Sequence, residues 1–447
     1  MIFVVLIMGL FNSAHSQVFI PFSFWRCTLP QTNSFDSLNA DFAAGTTSNT
    51  TVTGASVVLS AGQTTGTFTS RVFNLNGNCP INAYWYSATW KTSLPFGKLL
   101  PDFNVSSQSE SIADYSGLSS STFMSGVMGQ WHMQETATGT APGAKDFADS
   151  SGTGAHGTIV GGVAQNAVGK IGRAVTFNGT SGYVNFGTPA TITGLGNWSV
   201  SFWINPTAFT ANQQIILYRS DNDAQQGFFI TMTSTGQIRF QGVFATADEQ
   251  SVSSTLLVAG AWTHVLITTD SSITSANTKI YFNGTQVAYT GAVAGSGTRT
   301  TAVAQPLYIG KTGPTSAPNT NAFLNASLEE VTFFGRILTA AEILELYRRG
   351  INRVKMQFRS CLLSNCADLP AWKGPDGTSA TFYTEIYNNS IQSTWLGYVL
   401  PPYPEMIFTN FTSSTISNNQ YFQYKATLET DNTTYLPDFK YFLIKRP

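Results

Sequence analysis

The sequence predicts an all-β protein in which one complete two-sheet β domain is inserted into a second, discontinuous β-sandwich. Three observations carry this prediction. Charged residues make up only 11% of the chain and aromatics 13%, with Gly, Ser, Thr and Asn filling much of the rest. Long helices expose faces of Lys, Glu and Arg, so this composition suits many short strands and polar turns. Residues 129–350 form a continuous run of short alternating segments that opens on GQWHMQE and closes on one capped helix, TAAEILELYRRG. The strand-like segments on either side are too few, separately, to bury two sheet faces, but together they make one sandwich of ordinary size. A chain of 447 residues holds two or three domains at roughly 100 to 200 residues each.

The chain divides in order as follows. Residues 1–16, MIFVVLIMGLFNSAHS, place an apolar run before small residues, with Ala14 and Ser16 arranged as a cleavage signal. They read as a secretory signal peptide lacking the usual basic start, the alternative being a buried N-terminal strand. The run is too short to span a bilayer, and no other stretch approaches ~20 apolar residues, so no integral membrane span is expected. Residues 17–103 supply the first part of the host sandwich: VFIPFSFW from Val18, ASVVL from Ala55, GTFTSRVFNL from Gly66, and a segment in which Trp85, Ala88 and Trp90 mark one or two strands. Residues 104–126 are Ser-rich and lack periodic apolar positions, as a linker does. The inserted domain spans 127–350. Residues 351–447 complete the host, beginning with NRVKMQFRSC, where Val354, Met356 and Phe358 alternate with Lys355 and Gln357.

Within the central stretch, SVSFWINP directs Val200, Phe202 and Ile204 to one side and Ser199, Ser201 and Trp203 to the other. Asn283-Gly284 is a type I′ hairpin signal. Thr339 and Glu342 form a capping box, Ile343, Leu344, Leu346 and Tyr347 an apolar stripe, and Gly350 stands as the C′ residue that ends the helix.

Two resemblances follow from these segments. GTFTSRVFNL, the Leu-Pro turn in SLPFGKLLP, VKMQFRSC, the WKGPDGT turn and YFQYKATLETD are similar to parts of a β-sandwich module of bacterial secreted and surface proteins, where they run without interruption. An insertion at a loop tip is physically cheap because domain ends often lie close together. The central stretch resembles the laminin G-like, concanavalin A-like jelly roll in six segments in order: VGKIGRAVTFNGTSGYVNFG, NWSVSFWINP, WTHVLITTD, KIYFNGTQV, PLYIGK and SLEEVTFFGRILTAAEILELY.

The jelly-roll resemblance implies calcium as a cofactor, with Asp149 of DSSGTGAHG and Glu329 of LEEV as candidate metal ligands, Glu329 standing where the family usually has Asp. Calcium takes six to eight oxygens, and a Gly-rich rim loop supplies carbonyls. Secretion makes disulfides expected among Cys27, Cys79, Cys361 and Cys366. Of the three pairings that four cysteines allow, Cys361 with Cys366 and Cys27 with Cys79 is favoured, leaving the central domain free of cysteine. His132, His156 and His264 occupy motif strand or turn positions, where packing and local hydrogen bonding are expected.

Catalytic classes leave no signature. Related glucanases carry an E-x-D-x-x-E strand motif that does not occur here, and Glu329 and Glu330, being adjacent, are expected on opposite faces of a strand. G-x-S-x-G, HExxH and P-loop motifs are absent as well. With 23 Lys and Arg against 24 Asp and Glu, the formal charge is -1, which argues against nucleic acid and anionic membrane surfaces. The expectation is therefore an exported, non-enzymatic binding protein of the cell surface, an adhesin or lectin-like module that meets a surface glycan or protein ligand at the jelly-roll rim. The alternatives are a structural component of an extracellular layer and, less favoured, a glycoside hydrolase.

Overall fold

The computed structural model describes residues 33–74, 85, 87–94, 96–100, 125–210, 213–221, 226–270, 278–302, 304–313, 322–384, 405–409, 416–417 and 419–445. The expected leader 1–16, the run 18–25, Cys27, Cys79 and nearly all of the linker 104–126 lie outside the described residues. The described chain is nearly all β, as the composition requires.

The central stretch forms two eight-stranded antiparallel sheets stacked face to face. The first runs Val163–Val168, Arg173–Phe177, Ala326–Phe334, Trp198–Pro206, Thr263–Thr269, Lys279–Phe282, Thr285–Gln286, with Val127–Trp131 also paired to Ala326–Phe334. The second runs Tyr289–Val293, Glu249–Leu256, Gln237–Gly242, Gln226–Met232, Gln214–Asp221, Tyr308–Ile309, Tyr183–Asn185, Thr158–Val160. Alternation drives the stacking: Val200, Phe202 and Ile204 meet Phe228, Ile230 and Phe240 in one core, while Trp203 points out of it. Trp198 joins the sheets, its ring 4.6 Å from that of Phe228 and 5.9 Å from that of Phe333. Asn283 and Gly284 both have positive φ, 51° and 79°, as the hairpin signal demands.

The flanks pair with each other. Thr65–Thr69 lies against Tyr421–Thr430, which pairs along ten residues with Asn352–Cys361. Ser87–Lys91 sits between Tyr441–Lys445 and Glu405–Thr409, Asn33–Asp36 pairs with Tyr441–Lys445, and Ser56–Leu59 pairs with Asp438–Phe439. Strands from before residue 101 and after residue 350 thus share sheets, and their side chains share a core: Phe68, Trp85 and Trp90 pack with Phe358, Phe422, Tyr424 and Phe442. Cys361 and Cys366 are joined by a disulfide that closes the loop at the end of the long strand.

The helix Ala340–Ile351 binds the two parts together. Thr339 accepts from the Glu342 N–H and the Glu342 carboxylate returns to the Thr339 N–H, the expected capping box. Ile343 and Leu346 join the flank core together with Phe334 and Leu338 of the central stretch, whereas Leu344 and Tyr347 pack on Trp203 and Ile171. Gly350 corrects the sequence expectation. It is not a left-handed C′ residue but lies inside the last turn, and the chain passes from Ile351 straight into the strand Asn352–Cys361. A Cβ on Gly350 would lie 2.3 Å from the Trp203 ring, so close approach, not turn geometry, requires the glycine there.

A second correction concerns Glu329 and Glu330. Leu328 and Val331 both belong to the inner core, so the two glutamates between them occupy the opposite, outer side together. The cause is a bulge: Ser201 faces Thr332 and Trp203 faces Glu329, leaving two residues against one, with Glu330 at φ 51°. Strict period-two alternation fails at this one step.

Candidate functional site

The two carboxylates named as metal ligands are held by different loops. Asp149 is 5% exposed; its Oδ1 accepts from the N–H groups of Gln130 (3.1 Å) and Ser151 (2.9 Å), and its Oδ2 from Thr153 Oγ1 (2.7 Å) and the Ala155 N–H (3.0 Å). Burial pushes its pKa up, but these donors outweigh burial and hold the carboxyl below the usual range. Glu329 is wholly buried and accepts from the N–H groups of Lys170 (2.9 Å to each oxygen) and Ile171 (2.8 Å), pinning the hairpin turn that leads into Arg173–Phe177. Burial drives its pKa well up, against the lowering effect of those N–H groups and the Lys170 ammonium. The residues do not fit a shared calcium site: the carboxylates have no partner in common and are committed to protein donors. Among the described residues no three His, Cys, Asp or Glu side chains gather as a metal site.

Glu330 and the histidines also have local partners. Glu330 Oε1 meets His132 Nδ1, and Oε2 accepts from the Leu100 N–H at 3.0 Å. His156 Nδ1 accepts from the Asp149 N–H at 3.0 Å. His264 lies under the helix, 2.8 Å from Ser201 Oγ through Nε2 and 5.1 Å from the Trp203 ring centre; burial lowers its pKa to about 3. An imidazole kept neutral under a packed helix, with Nδ1 lacking a partner, is no general base for Ser201.

A second group of side chains lies on the second sheet, on the side away from the core, where Tyr218 and Tyr308 are buried with Ile215 and Ala322 while Tyr183 and Phe229 are partly exposed. One register row crosses it: Asn185, Tyr308, Tyr218, Phe229, Gln241, Gln250. At one end is an aromatic group. Tyr218 stacks on Phe229 (5.9 Å, 25°), Tyr183 meets Tyr308 edge-on at 5.8 Å, and Lys311 Nζ stands 4.3 Å from the Tyr183 ring centre and 5.3 Å from that of Tyr308. At the other end is a chain of polar side chains. Arg239 donates to Gln241 Oε1, Gln241 Nε2 donates to Asp248 Oδ2 (2.6 Å), and the Gln250 amide, turned with its oxygen to the guanidinium, accepts from Arg239 Nε (2.9 Å). Among the described residues no flank side chain joins the aromatic group. The partly exposed rings of Tyr183 and Phe229, beside amide and guanidinium groups, are of the types that take the C–H face and the hydroxyls of a sugar respectively.

Sequence reasoning did not single out this row. Its signal is nonetheless present, because in Tyr183-Val184, Tyr308-Ile309 and Phe229-Ile230 the neighbour of each core aliphatic is an aromatic on the opposite face.

Two stacked antiparallel sheets closed by a capped helix define the central stretch as a jelly roll of the concanavalin A type. Residues 178–344 match the family model described as the concanavalin A-like lectin/glucanases superfamily. Among solved structures the chain is similar to domain 4 of AbnA, a GH43 extracellular arabinanase from Geobacillus stearothermophilus, in complex with arabinotriose; identity is 19%, over 49% of this chain and 98% of that one, with a TM-score of 0.35. It is similar also to the binding domain of Paraclostridial Mosquitocidal Protein 1 (12% identity, 60% and 70% covered, TM-score 0.39). A third is a botulinum neurotoxin type C structure whose cell entry depends on interaction with two ganglioside molecules (14%, 59% and 62%, TM-score 0.38). No curated protein matches the sequence.

Proposed function

We propose that the chain is an exported, non-enzymatic carbohydrate-binding protein of the cell surface, in which the domain 127–350 is inserted into a sandwich made of 17–103 and 351–447. The ligand is a surface glycan, read on the outer face of the second sheet. The observation that supports this most is the pair of partly exposed rings, Tyr183 and Phe229, which pack on buried Tyr308 and Tyr218 on the same face as the Arg239, Gln241 and Gln250 chain. Binding without chemistry fits the state of Glu329 and Glu330, whose oxygens are engaged by Lys170, Ile171, Leu100 and His132 behind the first sheet.

The test is a glycan array probed with the whole chain and with Tyr183→Ala/Phe229→Ala, which removes the two partly exposed rings. Loss of ~1.4 kcal/mol of ring contact would weaken binding about tenfold. Silence of the wild-type chain across the array, or equal binding by the variant, would overturn the proposal. The reading as a layer component draws on two apolar side chains at sheet edges, Val168 at 88% exposure and Val293 at 53%. It predicts concentration-dependent self-association in sedimentation, which the glycan-binding reading does not.

A further inference from the structure

The two ends of the outer row differ in what they leave unpaired. At the polar end charge is balanced internally: the Arg239 guanidinium donates to Gln241 and Gln250, and Asp248 accepts from Gln241 Nε2 (2.6 Å) and from the Phe244 N–H (3.1 Å). At the aromatic end, among the described residues, no carboxylate meets Lys311. Its ammonium stands over the Tyr183 and Tyr308 rings, and burial alone acts on its pKa, lowering it. Asn185 faces Tyr308 across the ladder. Its Oδ1 accepts from the Gly187 N–H at 2.9 Å, which fixes the amide and leaves Nδ2 a donor with no partner among the described residues. Lys311, Asn185 and Tyr183 are each partly exposed, so these groups are open to a ligand from solvent.

Ring faces attract a cation without neutralising it. Beside Tyr308, then, stand an ammonium and an amide N–H₂, both donors, with no opposing charge. A cationic ligand, which aromatic groups otherwise suit, would meet the Lys311 charge. A neutral sugar hydroxyl accepts from one donor but leaves that charge uncompensated where it is already partly withdrawn from water. A carboxylate or a sulfate ester accepts from both donors and supplies the missing charge.

We propose that the glycan read on this face is an acidic oligosaccharide, its carboxylate or sulfate ester held by Lys311 and Asn185 beside Tyr183 and Tyr308; this rests on the carbohydrate-binding reading and adds the charge class of the ligand. Phe229, the other partly exposed ring, lies two strands from Tyr308 with Tyr218 between them. At ~4.8 Å per strand that separation is roughly 10 Å, more than one sugar ring spans. The acid group and the sugar stacked on Phe229 therefore belong to different units of one chain.

The test titrates the full chain against paired oligosaccharides that differ only in the acid: uronates and their methyl esters, sialylated glycans and their asialo forms, sulfated glycans and their desulfated forms. In at least one pair the acidic member should bind about tenfold more tightly. Lys311→Gln should bring that ratio close to one, as should Asn185→Asp, which still accepts from the Gly187 N–H but turns the free donor into an acceptor. Lys311→Arg should keep most of the preference, and about 1 M salt, where the Debye length is ~3 Å, should remove it. A preference confined to uronates and sialylated glycans assigns the carboxylate, and one confined to sulfated glycans the sulfate ester. Equal binding of both members in every pair, or a wild-type ratio in Lys311→Gln, overturns the inference, while neutral binding lost in Tyr183→Ala/Phe229→Ala would leave the carbohydrate reading standing. Silence of the wild-type chain toward every member ends both.

Discussion

The backbone N–H of Leu100 donates to Glu330 Oε2 at 3.0 Å, joining the end of the first flank to the outer side of the first sheet of the central stretch. Glu330 can reach it because the bulge places it at φ 51°. Glu330→Ala leaves that buried N–H without an acceptor, at a cost of about 1–3 kcal/mol. Urea denaturation of the full chain should show this loss, and Glu330→Gln, which keeps an acceptor, should lose less. Equal stability of Glu330→Ala and wild type would show that the contact carries no weight.

Glu329 gives the pH dependence a definite sign. Burial raises its folded pKa well above the ordinary carboxyl value, so the native state holds a proton that the unfolded chain releases. Its contribution is fully present below the unfolded pKa of ~4.3 and is lost as pH rises through the folded pKa. Between about pH 5 and 8, Glu329→Gln should therefore flatten a downward slope in unfolding free energy. The readout is the slope difference between variant and wild type; parallel curves would refute the assignment.

Gly350→Ala sets propensity against packing. In an exposed helix the change would stabilise by roughly 1 kcal/mol. Here the added methyl meets Trp203 at 2.3 Å, and overpacking of this kind costs ~1–3 kcal/mol. Thermal unfolding should show net destabilisation, with recovery in a Trp203→Leu/Gly350→Ala double variant. A stabilised Gly350→Ala would mean that the helix and the sheet separate easily.

The Cys361–Cys366 disulfide closes a short loop, for which the chain-entropy estimate is ~2 kcal/mol. Cys361→Ser/Cys366→Ser should lower the stability of the flanks by that order in denaturant; an unchanged denaturation midpoint would show that the bond carries no weight.

Calcium offers a further check. Since Asp149 already accepts four hydrogen bonds and Glu329 three, millimolar calcium should leave the melting temperature unchanged. A rise that saturates with concentration would signal native-state binding and require these loops to rearrange.

Local signals were the legible ones. The alternation through Val200, Phe202 and Ile204, the Asn283-Gly284 turn and the Thr339–Glu342 box each involve residues whose conformational preference is set by near neighbours, and each recurs in the fold. The Glu330 bulge was not legible, because nothing in the chemistry of glutamate favours positive φ; contacts from Leu100 and His132 hold it there. Gly350 was misread for a related reason: a glycine near a helix end has a turn role by default, and only the position of Trp203, 147 residues earlier in sequence, gives it a packing role. The carboxylates of Asp149 and Glu329 are recognisable as buried anchors only with their backbone donors in place.

The pairing of Asn33–Asp36 with Tyr441–Lys445 determines how the molecule responds to tension. Asn33 faces Lys445 and Asp36 faces Phe442, so a pull on the two sides of this ladder at its Asn33 and Lys445 end would open its bonds one after another like a zipper. The Gly335 N–H, meanwhile, donates to the Gly126 carbonyl at 2.6 Å, so the chain enters and leaves the jelly roll at neighbouring points. Load between residues 33 and 445 would then yield first in the outer ladder, lengthening the chain at low force while the jelly roll keeps its shape.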